Sequence, residues 1–490
     1  MEAVNRSGQA SDCPDVSSAP EFWPEPAGEG NPPAETLRQT KEDPRNTIGF
    51  LPESELRESS GLDRLTLGLC PPLVSALAPP PPFIKVREMT TCSLFFLAMP
   101  LLAQVPSAER TFPAWTHLSS KGGDLPVPGT AVQQTACLVV DIDKDGLNDI
   151  VVGSRKAGAR IVWYRRKAQG WEVFAIDGGL NIEAGGAAAD VDGDGDLDLV
   201  FGEDWSGTRL YWWENPWPRF DPGVPWTRRA IKNSGGAMHH DQVFGDFDGD
   251  GKDELAFWVQ RFDGLLLARI PRDPKASGPW PSASIARIRA AEGLAKADID
   301  GDGKVDLIGG GCWFKHEGGL TFKSMVIDQD SRSSRAAAGQ LVEGGPPEVV
   351  FVNGEGVGRL KWFENRGDAW VGQDALGEDV VHGHSLQLAD IDRDGHLDVF
   401  CAEMAQWSDS ATSPDHPGAR MWILYGDGRG HFNKTVVAKG IDNHESRIAD
   451  LDGDGDLDIV TKPYESDTPR LDIWLNGGTG PLRGTRSHPK

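Results

Sequence analysis

The sequence predicts an all-β protein, a seven-bladed β-propeller, and three observations predict it. An acidic loop pattern recurs seven times in the 490 residues, with first positions at Asp141, Asp190, Asp246, Asp298, Gln340, Asp390 and Asp450. Successive copies lie 42 to 60 residues apart, a period that marks a repeat array. Every copy is set among short runs rich in Val, Ile and aromatic residues, which is strand composition. Finally, a strand-like segment at Pro113 belongs to no unit, while the last unit ends without a fourth strand.

Each unit reads as four strands. A short apolar run precedes the acidic loop, and a second follows it directly, as in DIVVG from Asp149. The third is aromatic and starts at Ile161, Leu210, Cys312, Leu360, Met421 and Asp472, with Leu265 taking that place in the third unit. A fourth follows, as at Trp171 and Trp226. Four strands per unit, each unit packing on its neighbours, make a propeller. The segment at Pro113 is then expected to complete the last blade, closing the ring and covering an open edge. A β-solenoid would need shorter and more uniform coils, and EF-hands would need helices beside the loops.

The propeller is assigned to residues 109–480, with a flexible tail over 481–490. Residues 1–88 hold 14 of the 35 prolines and no sustained periodicity, and read as a disordered or spurious extension. Residues 89–108 carry the apolar run LFFLAMPLLA from Leu94. That run is too short to span a bilayer and reads as a signal peptide behind Met89. A secreted, periplasmic or cell-surface location is expected, without membrane insertion once the signal is removed.

The net charge of −25 excludes non-specific nucleic-acid binding, which needs a basic surface. Hydrophobic residues at 39% together with 59 glycines rule out global disorder and point to many tight turns. Past the signal, Cys137, Cys312 and Cys401 remain, each in a predicted strand. That odd count favours buried free thiols.

Six of the seven loops read D-x-D-x-D-G-x-x-[DE]. Carboxylates at positions 1, 3 and 5 converge because glycine at position 6 lets the chain fold back, and position 9 closes the cage. The ligand candidates are Asp141, Asp143, Asp145 and Asp149 in the first loop and Asp190, Asp192, Asp194 and Asp198 in the second. They continue with Asp246, Asp248, Asp250 and Glu254, then Asp298, Asp300, Asp302 and Asp306. The sixth loop offers Asp390, Asp392, Asp394 and Asp398, and the seventh Asp450, Asp452, Asp454 and Asp458. All-oxygen cages suit Ca2+, so about six structural Ca2+ sites are expected. The fifth copy, with Gln340, Val342 and Gly344 at the ligand positions, is expected to hold none.

This loop pattern resembles the FG-GAP and VCBS repeats of integrin α-subunit-like propellers, over about residues 112–476. The resemblance implies calcium loops between the first and second strands on one face of the disc, with any binding site on the opposite face. It says little of activity, because such repeats occur in adhesion proteins, lectin-like proteins and polysaccharide-degrading enzymes alike.

The residue six positions before each loop is Thr135, Ala184, His240, Glu292, Ser334, His384 or His444. This register places three of the chain's 11 histidines at the mouth of the central channel, on the face away from the loops. Three neutral imidazoles with an open fourth position suit catalytic Zn2+; the alternative is a polar channel lining that holds water. Arg155, Glu203, Asp204, Gln260, Arg261, Glu355, Glu403, Lys462 and Tyr464 are expected on the same face, with His239 and His382 beside the register. A basin of acids and bases suits a polyhydroxylated ligand, and Trp205, Trp258 and Trp407 are candidates for stacking on sugar faces.

The LYWWENP strand from Leu210 and the histidine-preceded loops are similar to the propeller portion of aldos-2-ulose dehydratase. That resemblance implies zinc-assisted elimination of water from a keto-sugar. Zn2+ at His240, His384 and His444 would polarise the carbonyl, and His382, His239 or Tyr464 would remove the α-proton. That enzyme's cupin-like domains are not recognisable in this sequence. Two functions therefore stand: a carbon–oxygen lyase acting on carbohydrate or an oxidised sugar, and a non-catalytic propeller that binds a glycan or a cell-surface protein partner.

Overall fold

The structure is a computed structural model that describes residues 112–478, apart from 262, 277, 368, 409 and 410. The extension, signal peptide and tail expected over 1–88, 89–108 and 481–490 lie outside the described residues. Seven four-stranded antiparallel sheets make up the described chain. The first runs in order through Val132–Val140, Asp149–Lys156, Ile161–Arg166 and Trp171–Asp177. Five further meanders repeat that order. The seventh sheet consists of Arg447–Ala449, Asp458–Thr461 and Asp472–Asn476, with Trp115–Ser119 outermost.

Trp115 lies opposite Asn476 and Ser119 opposite Asp472. His117 fixes this strand: its ring stacks on Trp474 at 4.0 Å and donates to Asp472 Oδ1 at 2.8 Å. Each sheet's first strand touches the first strand of the next, and the seventh touches the first. These strands form the inner wall.

Between blades the core is aromatic. Trp163, Trp212 and Trp422, from third strands, are fully buried. Trp163 of the first blade packs in one cluster with Leu199, Phe201 and Trp226 of the second. Trp258 belongs to this class and not to the sugar-stacking candidates. It is fully buried, and its indole N–H donates to the Gly293 carbonyl at 2.8 Å, because both faces of its strand are covered. Cys137 and Cys401 are buried free thiols, but Cys312 is disulfide-bonded. The expectation of three free thiols is corrected at Cys312 alone, and it holds for Cys137 and Cys401.

Candidate functional site

The acidic loops connect first to second strands, and their geometry is set by two residues. Glycine at position 6 is left-handed in all six loops, with φ between 83° and 93°, a region that a Cβ penalises. Its N–H donates to the position-1 carboxylate at 2.9 to 3.0 Å. Position 9 acts as a tether. Asp198 accepts from the Val191 N–H at 3.0 Å and the Asn215 N–H at 2.8 Å, joining loop to third strand. Asp149, Asp306, Asp398 and Asp458 repeat this pair of bonds. In the fifth copy, which lacks the other carboxylates, Glu348 still accepts from Leu341 and Val342.

Ligand oxygens of Asp190, Asp192 and Asp194 lie within 4.8 Å of one another, as do those of Asp246, Asp248 and Asp250 and of Asp298, Asp300 and Asp302. In the first loop the close group is Asp141, Asp143 and Asp149. Asp143 Oδ1 and Asp300 Oδ1 are buried without a hydrogen-bond partner, which is unfavourable unless a cation faces them. This donor set fits a hard cation such as Ca2+. Side-chain cations also reach position 3: Arg165 meets Asp143, Arg269 meets Asp248, Lys315 meets Asp300, and Lys275 meets Asp192 at 2.7 Å.

At the opposite ends of the first strands lies a cavity of about 240 Å³. Its lining draws on every blade: Arg155, Glu183, Trp205, Met238, His240, Glu292, Glu355, His382, His384, Met404, Trp407, His444 and Tyr464. All three register histidines are in it, with Glu292 from the same register. His444 donates its Nδ1 proton to the Thr135 carbonyl at 3.0 Å, and His240 Nδ1 pairs with Asp241 at 2.7 Å. Each leaves Nε2 as its second nitrogen. His384 stacks on His444 at 4.8 Å, His382 on Trp407 at 3.9 Å, and His444 on Tyr464 at 5.3 Å.

Of the three candidate bases, His382 and Tyr464 line the cavity and His239 does not. Alternation along the strand turns His239 away from His240. Its ring lies near Phe257, and a Cβ on Gly202 would come within 2.3 Å of its own Cβ. Burial drives His239 down to about 3, so it stays neutral.

Charge is unevenly distributed among the other imidazoles. Burial opposes the charged form of His240, but Asp241, Glu292 and Glu183 outweigh it and push the group up to about 9. Burial, then Lys462 and His384, hold His444 well below the usual range, and burial also lowers His382. At neutral pH an imidazolium at His240 therefore shares the pocket with neutral rings at His382 and His444.

Next to the register, Arg335 spans the channel. It donates to Asp241 Oδ1 at 2.5 Å and Oδ2 at 3.0 Å, and pairs with Glu445 at 2.8 Å. At the rim, Arg155 reaches Glu183 at 2.5 Å, Asp204 at 3.1 Å and the Tyr464 hydroxyl at 2.7 Å. Trp205 is 60% exposed with the Arg261 guanidinium 4.1 Å from its ring centroid.

Other expected basin residues serve the scaffold. Lys462 is buried and donates to the carbonyls of Gln134 and His444, and buried Glu403 accepts from Arg420 and pairs with His416. Gln260 donates to Glu292 behind the lining. Glu183 is the acid that sequence reasoning missed. It sits one residue before Ala184 of the register, and that adjacency was the available signal.

An FG-GAP-like repeat family matches over residues 141–201 and 190–257. No curated protein sequence matches the chain significantly. Among solved structures, one described as the crystal structure of BBS1N in complex with ARL6DN, soaked with lead, aligns at 11% identity with a TM-score of 0.43. That alignment covers 76% of this chain and 99% of that one.

Proposed function

Since the chain is a β-propeller carrying FG-GAP-like repeats, we propose that its channel-mouth pocket binds a carbohydrate while Ca2+ occupies the six acidic loops as a structural ion. One observation carries the reading: acids, bases and two accessible aromatic faces meet in a single open cavity. Trp205 and Trp407 offer apolar faces to a sugar ring, and Arg155, Glu183, Glu292 and the histidines offer donors and acceptors to its hydroxyls. The expected setting is secreted, periplasmic or cell-surface.

Isothermal titration with neutral sugars and uronic acids tests this. Trp407→Ala should weaken binding by roughly tenfold, about 1.4 kcal/mol, with melting and calcium content unchanged. If no sugar binds the wild type, the pocket is not a glycan site and a protein partner becomes the reading.

The contact from Arg155 to the Tyr464 hydroxyl favours a second reading, elimination on an oxidised sugar. A cation at that oxygen stabilises the anionic form that removes a proton beside a carbonyl. The proton passes to Tyr464, its electron pair forms the new double bond, and the leaving hydroxyl departs as water with a proton from His240. Ultraviolet absorbance of an unsaturated product, absent in Tyr464→Phe, is the result this reading requires.

A further inference from the structure

We infer that Glu355, His382 and His384 form a site for one divalent transition metal of the zinc class at the channel mouth. Their ligand atoms all lie within 4.8 Å of one another. Glu355 Oε1 is 3.5 Å from His384 Nε2, and Glu355 Oε2 is 3.7 Å from His382 Nδ1. Both separations exceed the ~2.7–2.9 Å of charge-assisted hydrogen bonds. They lie close to the ~3.4 Å between ligands of a tetrahedral ion held at ~2.0–2.1 Å.

Three further features point the same way. Both imidazoles are buried, while the Glu355 side chain is 57% exposed, so the group is walled on two sides and open towards the pocket. His382 Nδ1, the nitrogen nearest Glu355, is buried without a hydrogen-bond partner, a state that costs stability unless something binds there. His382 is also held left-handed at φ 46°, and strain of this kind collects at ligand sites.

The Gly356 N–H lies 3.2 Å from His382 Nε2, so the metal-free ring accepts there and carries its proton on Nδ1. Metal uptake moves that proton to Nε2 and releases Gly356. Two imidazoles and one carboxylate with an open position form a catalytic zinc donor set and discriminate against Ca2+, which takes oxygen. The sequence-predicted trio of His240, His384 and His444 shares only His384 with this group. His240 and His444 use Nδ1 on Asp241 and the Thr135 carbonyl and keep Nε2 as their second nitrogen.

The site stands whether or not the pocket's ligand is a sugar. Full-length protein held in excess Ca2+ is titrated with Zn2+ and with Co2+, reading bound metal by mass spectrometry and the visible Co2+ bands. About one equivalent should bind per chain, and Glu355→Ala and His384→Ala should each bring uptake close to zero. Glu355→Gln preserves shape and should also lose the Co2+ bands, while Asp192→Ala should keep them. Trp407→Ala should retain the metal whatever it does to sugar binding. No uptake by the wild type in Ca2+, or equal uptake by folded Glu355 and His384 variants, overturns the site.

Discussion

His444 donates its Nδ1 proton to the carbonyl oxygen of Thr135 across 3.0 Å, so two residues at the same place in their repeats join the seventh blade to the first. The same level of the ring is sewn elsewhere by backbone bonds. The Asp241 N–H donates to the Ala184 carbonyl at 3.2 Å, and the Glu445 N–H to the His384 carbonyl at 3.1 Å. The register is thus a seam between blades as well as a pocket wall, and the pocket inherits the rigidity of the ring.

Arg335 tests that seam. It is the buried cation shared by Asp241 and Glu445, so Arg335→Met leaves Asp241 to His240 alone and Glu445 to Arg447 alone. Urea unfolding should show a loss of about 3–5 kcal/mol. Adding Asp241→Asn and Glu445→Gln to the same chain should recover part of it.

Asp204 sets a pH dependence. Burial and then Glu183 push it up to about 8, against the pull of Arg155, while the unfolded chain ionises it near ~3.9. Its contribution is therefore fully present below about 3.9 and declines with rising pH until the folded group ionises. Glu183 runs the other way: Arg155 and His240 outweigh burial and hold it at about 2, so its contribution is lost as pH falls. Asp204→Asn should flatten the decline between about pH 5 and 8, by up to ~1.4 kcal/mol per pH unit. Denaturation series at saturating Ca2+ will read it.

The loops separate a metal role from a tether role. Chelator should lower the melting temperature, and Asp192→Ala should reproduce part of that drop only when Ca2+ is present. Glu348→Ala removes the acceptor for two backbone N–H groups and should cost about 1–3 kcal/mol with or without Ca2+. Thermal melts with paired additions of Ca2+ and chelator distinguish the two.

The outermost strand of the seventh sheet supplies the last test. Deleting residues 112–120 bares the edge of Asp472–Asn476 and removes the His117–Trp474 stack. Melting should fall by several degrees, at roughly 2–4 °C per kcal/mol for a body this large. Unchanged melting would mean that this strand adds nothing to the blade.

Much of this protein is legible in its sequence because its information is local. A D-x-D-x-D-G loop needs only nearby residues to fold back, and four short strands per unit follow from composition, so blade number and loop position were readable. Counting from those loops also found His240, His384 and His444, which do line one cavity. The sequence by itself thus determined the repeat, the all-β class and the acidic loops. Tertiary structure decided which side chains meet. Glu355 and His382 come from the fifth blade's turn and the link to the sixth, 27 residues apart, and join His384 only because the ring brings strand ends together. His239 and His240 are neighbours in sequence, yet pleating turns one into the core and the other to the pocket. Trp258 and Trp407 have the same side chain, and only the packing between blades buries one and leaves the other at the cavity wall.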